Sequence, residues 1–142
     1  MGLTHAYDIM KDCGAVPREG DIASLEDTQL NAKAIMKCID MANNDPKDRT
    51  VVVPEGHLFS SMPVWASNLN DVTLTIDGVL ETSPHIDNWT LNDAGDRTRQ
   101  FIEISDSTNF NINGKGIVEG QGYDWWVREW NLQNHYNRPN LL

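Results

Sequence analysis

Apolar and polar residues alternate strictly at the start of residues 109–126, NFNINGKGIVEGQGYDWW. Phe110, Ile112 and then Ile117 carry the apolar side, and Asn109, Asn111 and Asn113 point away. A period of two over this length predicts a half-buried β-strand. Gly114 and Gly116 interrupt the run, as glycines do where a strand bends or two backbones approach closely. Ile117-Val118-Glu119 resumes the strand, and Gly120-Gln121-Gly122 turns it again. The same grammar occurs in residues 71–81, DVTLTIDGVLE. Val72, Leu74, Gly78, Val79, Leu80 and Glu81 fall on Phe110, Ile112, Gly116, Ile117, Val118 and Glu119 at a constant offset of 38. Stacked-repeat folds give offsets of roughly 20–50 residues, because each unit buries its apolar face only against a neighbour. The pattern alone leaves open an ordinary antiparallel β domain that repeats one strand by chance.

The periodicity changes to that of a helix near the start of the chain. Ile35, Cys38, Ile39 and Ala42 fall at i, i+3, i+4 and i+7, while Lys33, Lys37 and Asp40 face out. Ser24 followed by Asp27 resembles a capping box with Asp in place of Glu, and Asn43-Asn44-Asp45-Pro46 stops the helix. A helix over residues 27–42 is therefore expected. Residues 5–14 read as a short strand ending at Gly14. The β-branched run 50–54 predicts a strand closed by Glu55-Gly56. Residues 57–59, 62–65 and 101–104 read as further short strands, and 82–99 as a long polar loop. Residues 123–142 are rich in Trp and Asn and end on Leu141-Leu142, which resembles the opening of another strand.

One helix followed by short strands with Gly or Asn turns predicts an all-β, right-handed parallel β-helix. An amphipathic N-terminal capping helix (about 24–43) covers the open apolar section of the first rung, and the rungs occupy about 50–142. The chain reads as one domain, 1–142, truncated at its C-terminal end.

Composition narrows the function classes. The chain has 142 residues, 39% apolar and 23% charged, so it carries enough apolar residues for a core. No apolar run approaches the ~18 residues of a spanning helix, and mean hydropathy is −0.48. Residues 1–10 show no basic segment followed by an apolar one, so no signal peptide is visible. Eleven basic against twenty-one acidic residues give a net charge of −10. That balance argues against nucleic-acid and membrane partners, which need clustered Lys and Arg. Cys13 and Cys38 lack metal-ligand spacing. Cys38 lies on the apolar helix face and reads as a small buried hydrophobe, while a disulfide between the two stays open because only geometry can license it.

Gly114-Lys115-Gly116-Ile117-Val118-Glu119-Gly120-Gln121-Gly122, then Trp125-Trp126 and Arg138-Pro139, resembles the N-terminal region of the polygalacturonase-like glycoside hydrolases of family 28. That family reads G-x-G-x-I-D-G-Q-G, a WW pair and an R-P. Asp12-Cys13-Gly14-Ala15 is similar to its opening D-[YF]-G-A. Glu26-Asp27-Thr28 with Ala34-Ile35 and Ile39 resembles its helix. Residues 51–56, VVVPEG, resemble its V-x-x-P-x-G turn, and 74–80 its L-x-I-x-G-x-L strand. The matches come in the family's order. Cys13 departs from the usual aromatic and Glu119 from the usual Asp, and residues 17–24 lack a D-G-x-x-D pattern.

The resemblance implies a secreted enzyme, monomeric at full length, that hydrolyses glycosidic bonds of pectin or a related polysaccharide with inversion. Inversion sets two carboxyl groups ~6.5–9.5 Å apart around a water. In the family these are aspartates of N-T-D and D-D motifs, joined by a G-H-G histidine and an R-I-K pair, all after the R-P. None of these motifs occurs in this sequence. The expectation is that the chain holds no catalytic, metal or cofactor residues and is inactive alone. Other readings are a non-catalytic β-helix module for glycan binding or assembly, and a polysaccharide lyase.

Substitutes for the missing groups weigh less than their structural readings. His85 and Asp87 lack a third ligand and read as loop residues. Asp124 and Glu129 flank aromatics, but Trp125-Trp126 reads as a packing plug. His135 and Tyr136 precede Arg138-Pro139 and are candidates for a groove edge. Asn88-Trp89-Thr90 fits the N-glycosylation pattern, which has meaning only in an exported protein. A charge of −10 repels polygalacturonate, so a less charged glycan also fits.

Overall fold

The computed structural model describes residues 6–120, 139 and 141. Among these residues, one α-helix, α1 (Leu25–Asn44), interrupts a series of nine short strands: β1 (Ala6–Asp8), β2 (Thr50–Val53), β3 (Leu58–Ser61), β4 (Val64–Ser67), β5 (Thr73–Ile76), β6 (Val79–Thr82), β7 (Ile102–Ser105), β8 (Asn111–Asn113) and β9 (Ile117–Glu119).

Helix α1 starts where its cap chemistry requires. Ser24 is extended (φ −70°, ψ 154°), and its hydroxyl accepts the Asp27 amide N–H at 3.1 Å. Glu26 and Asp27 in the first turn complement the positive end of the helix dipole. Asp45, extended before Pro46, ends it. The helix thus runs two residues further at each end than the apolar period indicates, since the period marks only the buried face. That face, Thr28, Asn31, Ala32, Ile35, Cys38, Ile39 and Ala42, packs against β1 to β4. Phe59, Val51, Val53, Leu74 and Leu80 complete the core beneath it.

All paired strands are parallel, and they form three sheets ordered β1-β2-β5-β8, β3-β6-β9 and β4-β7. From β2 onward, successive strands go to successive sheets, so each sheet face is a stack of equivalent positions. Val51 lies on Leu74 and Leu74 on Ile112. Phe59 lies on Leu80 and Leu80 on Val118. Val64 lies on Ile102. The 38-residue repeat is the register itself, pairing Leu74 with Ile112, Leu80 with Val118 and Val64 with Ile102. An antiparallel arrangement is thereby excluded for these strands.

The corners repeat with the strands. Asn68 and Asp106, and Asp71 and Asn109, all have positive φ (58°, 48°, 58° and 55°). Asn and Asp tolerate this left-handed conformation better than other side-chain-bearing residues. Asn109 Nδ2 donates to Asp71 Oδ1 at 3.0 Å, and Ser107 Oγ accepts the Leu69 N–H at 3.0 Å. At the opposite corner, a Cβ on Gly116 would stand 1.9 Å from the Gly78 carbonyl oxygen, and one on Gly78 2.2 Å from that of Pro54. Stacked backbones at that spacing admit only glycine.

Three expectations need correction. Ile117 does not share the inner face with Ile112: it is 58% exposed and stacks on the half-buried Val79, whereas Val118 lies over buried Leu80. The bend at Gly114 to Gly116 carries the chain to another sheet and resets the alternation. Cys38 is a disulfide partner of Cys13, with a Cα separation of 6.1 Å, rather than a free buried thiol. Residues 82–99 are not featureless. Thr82 completes β6, Ile86–Asn88 forms a 3-10 turn, and Leu91 bridges Thr98. Buried Trp89 anchors this excursion by donating its Nε1–H to the Arg99 carbonyl at 2.9 Å. Glu81, which alternates with inward Leu80, is also buried and is met there by Arg18.

The first edge of β3 is covered rather than open. The Arg18 N–H donates to the Leu58 carbonyl at 2.7 Å, and the Met62 N–H to that of Thr28 at 3.0 Å. Asn31, 1% exposed, accepts the Val16 N–H through Oδ1 and donates through Nδ2 to the carbonyls of Val16 and Ser60. An uncovered edge is a template for pairing with another chain. On the far side, the Ile102 N–H donates to the Leu141 carbonyl at 2.9 Å, so Leu141 sits beside β7.

Candidate functional site

Among the described residues, charged and aromatic groups gather at three places on the surface of the sheets. The first is the outer face of the β3-β6-β9 sheet. Glu81 and Glu119 are register partners on adjacent strands, and strands lie roughly 4.8 Å apart. Glu81 is paired with an arginine. Arg18 Nη1 donates to both its oxygens, at 2.9 and 3.2 Å, which ties the segment before α1 to β6. A carboxylate held this way is a fastening.

The second place is the glycine corner, where a shallow cleft of about 390 Å³ is lined by His57, Asp77 and Lys115 beside Gly56, Gly78 and Gly116. Lys115 Nζ reaches Glu55 Oε2 at 3.0 Å, both side chains being about two-thirds exposed. That hydrogen bond raises the lysine above its ordinary value, and the Glu55 charge adds to it. The Lys115 amide donates to Asp77 Oδ1 at 3.3 Å. Its charged groups are therefore engaged in holding the bend.

The third place lies between α1 and the outer face of β4. A groove of about 250 Å³ is lined by Gln29 and Lys33 of the helix and by Met62, Pro63, Trp65 and Thr90. The Arg99 guanidinium lies 4.1 Å from the Trp65 ring centroid. It is fixed by Asp93 and Glu103, each at 2.9 Å. Trp65 remains 36% exposed, so part of an aromatic surface faces solvent beside the lysine. An apolar rim with an aromatic plate and a few polar groups suits contact with a flat ligand such as a sugar ring. No local sequence signal marks Trp65 or Arg99, because strands and a loop distant in sequence bring them together.

The residues proposed from sequence fall as follows. His85 is a structural histidine: its Nε2 is 2.7 Å from the Ala23 carbonyl oxygen. Asp87 sits next to it on the exposed 3-10 turn. Asp124, Trp125, Trp126, Glu129, His135 and Tyr136 lie outside the described residues. Among the described residues, no three His, Cys, Asp or Glu side chains gather in an arrangement that could hold a metal ion. No helix among them is long and apolar enough to cross a membrane.

Comparison with known proteins fits this scaffold. Two polygalacturonases resemble the chain, one from Cryptomeria japonica (26% identical over 76 residues) and one from Chamaecyparis obtusa (23% over 77 residues). The matches cover 49% and 50% of this chain but 14% of each relative, so the chain spans a small part of their length. No solved structure matches it significantly. The profile described as Glycosyl hydrolases family 28 matches residues 43–142, from the end of α1 onward. That family implies a parallel β-helix, in keeping with three parallel sheets of stacked strands. With more than two-thirds of its length matched, the chain belongs to glycosyl hydrolases family 28.

Proposed function

We propose that the chain forms the N-terminal part of a secreted, polygalacturonase-like hydrolase. It is one right-handed parallel β-helix domain, monomeric when full length, with α1 as the cap on its first turn. The whole protein would hydrolyse glycosidic bonds of pectin or a related polysaccharide with inversion. Residues 1–142 would supply scaffold rather than chemistry. The observation that carries this reading is the family match over residues 43–142, which contain none of the family's N-T-D, D-D, G-H-G or R-I-K motifs. It is supported by the engagement of Glu81, Glu103 and Asp93 in ion pairs with arginines.

Release of reducing ends from polygalacturonate tests it. The complete protein is expected to release them and the isolated 142 residues to release none. Turnover by the isolated chain would overturn the proposal.

One observation favours a second reading, a non-catalytic glycan-binding coil: the Trp65 groove offers an aromatic surface beside Lys33. In that case Trp65→Ala abolishes retention on a polysaccharide column while leaving the fold intact. Retention unchanged by that substitution would count against it.

A further inference from the structure

We propose that Asn88 is an N-glycosylation site. Asn88-Trp89-Thr90 is the one Asn-x-Ser/Thr tripeptide in the sequence. A bare tripeptide means little, but the structure adds two independent observations.

The first is placement. Asn88 closes the short 3-10 turn Ile86–Asn88 and is exposed, whereas the next residue, Trp89, is 5% exposed. Trp89 is fixed by its Nε1–H to the Arg99 carbonyl and by packing on Phe101, with ring centroids 6.3 Å apart. The turn is thereby pinned down from within and presents Asn88 outward. A glycan on its amide needs no rearrangement of the core, so the folded protein tolerates the modification.

The second is compartment. Cys13 and Cys38 are joined in a disulfide across 25 residues of sequence. Disulfides form and persist in oxidising compartments, and the secretory lumen of eukaryotic cells, where they form, is also where asparagine is glycosylated. One lumen would provide both modifications.

The step transfers a glycan from a lipid-pyrophosphate-linked oligosaccharide. The Asn88 side-chain nitrogen attacks the anomeric carbon and a C–N bond forms. The C–O bond to pyrophosphate breaks, its electron pair leaves with the lipid pyrophosphate, and one amide proton is lost to a base. No oxidant or reductant is consumed. The inference does not depend on the hydrolase reading and stands if the protein proves to be a binder.

The test expresses the full protein behind a secretion leader in eukaryotic cells and analyses the lumenal and secreted pools together, because glycan transfer precedes folding. The wild type is expected to carry a mass increment on the peptide containing Asn88 that peptide-N-glycosidase removes. Thr90→Ser keeps the increment, and Asn88→Gln and Thr90→Ala lose it completely. An unmodified Asn88 in material whose Cys13–Cys38 bond is oxidised would overturn the proposal, whether or not the protein is exported or active.

Discussion

At Gly116 the backbone of one strand corner passes so close to Gly78 that any side chain must displace it. Gly116→Ala is expected to cost about 1–3 kcal/mol, the usual range for overpacking. Gly20, with no heavy atom within 4 Å of an added Cβ and no positive φ, serves as the control. Gly20→Ala should be neutral or stabilise by up to about 1 kcal/mol through the unfolded chain. Urea denaturation of the two variants separates these outcomes, and equal effects would show that the corner is looser than described. Tyr7 gives a pH signature at the same scale. Its hydroxyl donates to Asp45 Oδ2 at 2.5 Å, and that hydrogen bond, with some burial and the charge of Asp45, raises the phenol above its ordinary value near 10. A raised folded-state value means the contribution is complete below about pH 10 and fades as pH rises through the folded-state value. Stability measured across that range should fall more for the wild type than for Tyr7→Phe.

Helix α1 is the element whose attachment was least legible in sequence. Its period, the Ser24 cap and the Pro46 stop are local, so they could be read directly. What ties it down is not local: Cys38 to Cys13, Asn31 to Val16 and Ser60, and Asn43 to the turn at Asn68 and Asn70. Replacing both cysteines by serine is expected to cost about 3.5 kcal/mol, the loop-closure value for a bridge of this span. A denaturation midpoint unchanged by the double replacement would show that the bridge does not constrain the chain. The same division separates the strands from their surroundings. Leu74 and Ile76 announce their inward face by alternation, whereas the β-branched run at Val51 to Val53 announces a strand but not which of its residues turn inward. Trp89, Arg99 and Trp65 acquire their surroundings only when a loop folds back on β4, and nothing in the neighbouring residues announces that contact. Ile117 misled because the alternation was carried across a bend that changes sheets.

The described part of the molecule is a stack in which position along the sequence is converted into position along an axis, one register step at a time. Among the described residues, the charged clusters at Glu81, Lys115 and Arg99 hold corners and edges together. A net charge of −10 adds a prediction at this scale: the isolated chain should not be retained on polygalacturonate at low ionic strength, where like charges repel over the longest range. Retention that weakens as salt is added would reveal a basic binding surface absent from this account. The central claim is the parallel register that sets residues 38 apart side by side in the last described turn, and cross-linking tests it most directly. Thr75 and Asn113 are register partners whose side chains hydrogen-bond at 2.7 Å on the outer face. In an otherwise cysteine-free chain, Thr75→Cys with Asn113→Cys should oxidise to an intramolecular disulfide in the folded protein. Thr75→Cys with Ile112→Cys, one residue out of step and on opposite faces, should not. Closure of the second pair in preference to the first would contradict the register on which the fold rests.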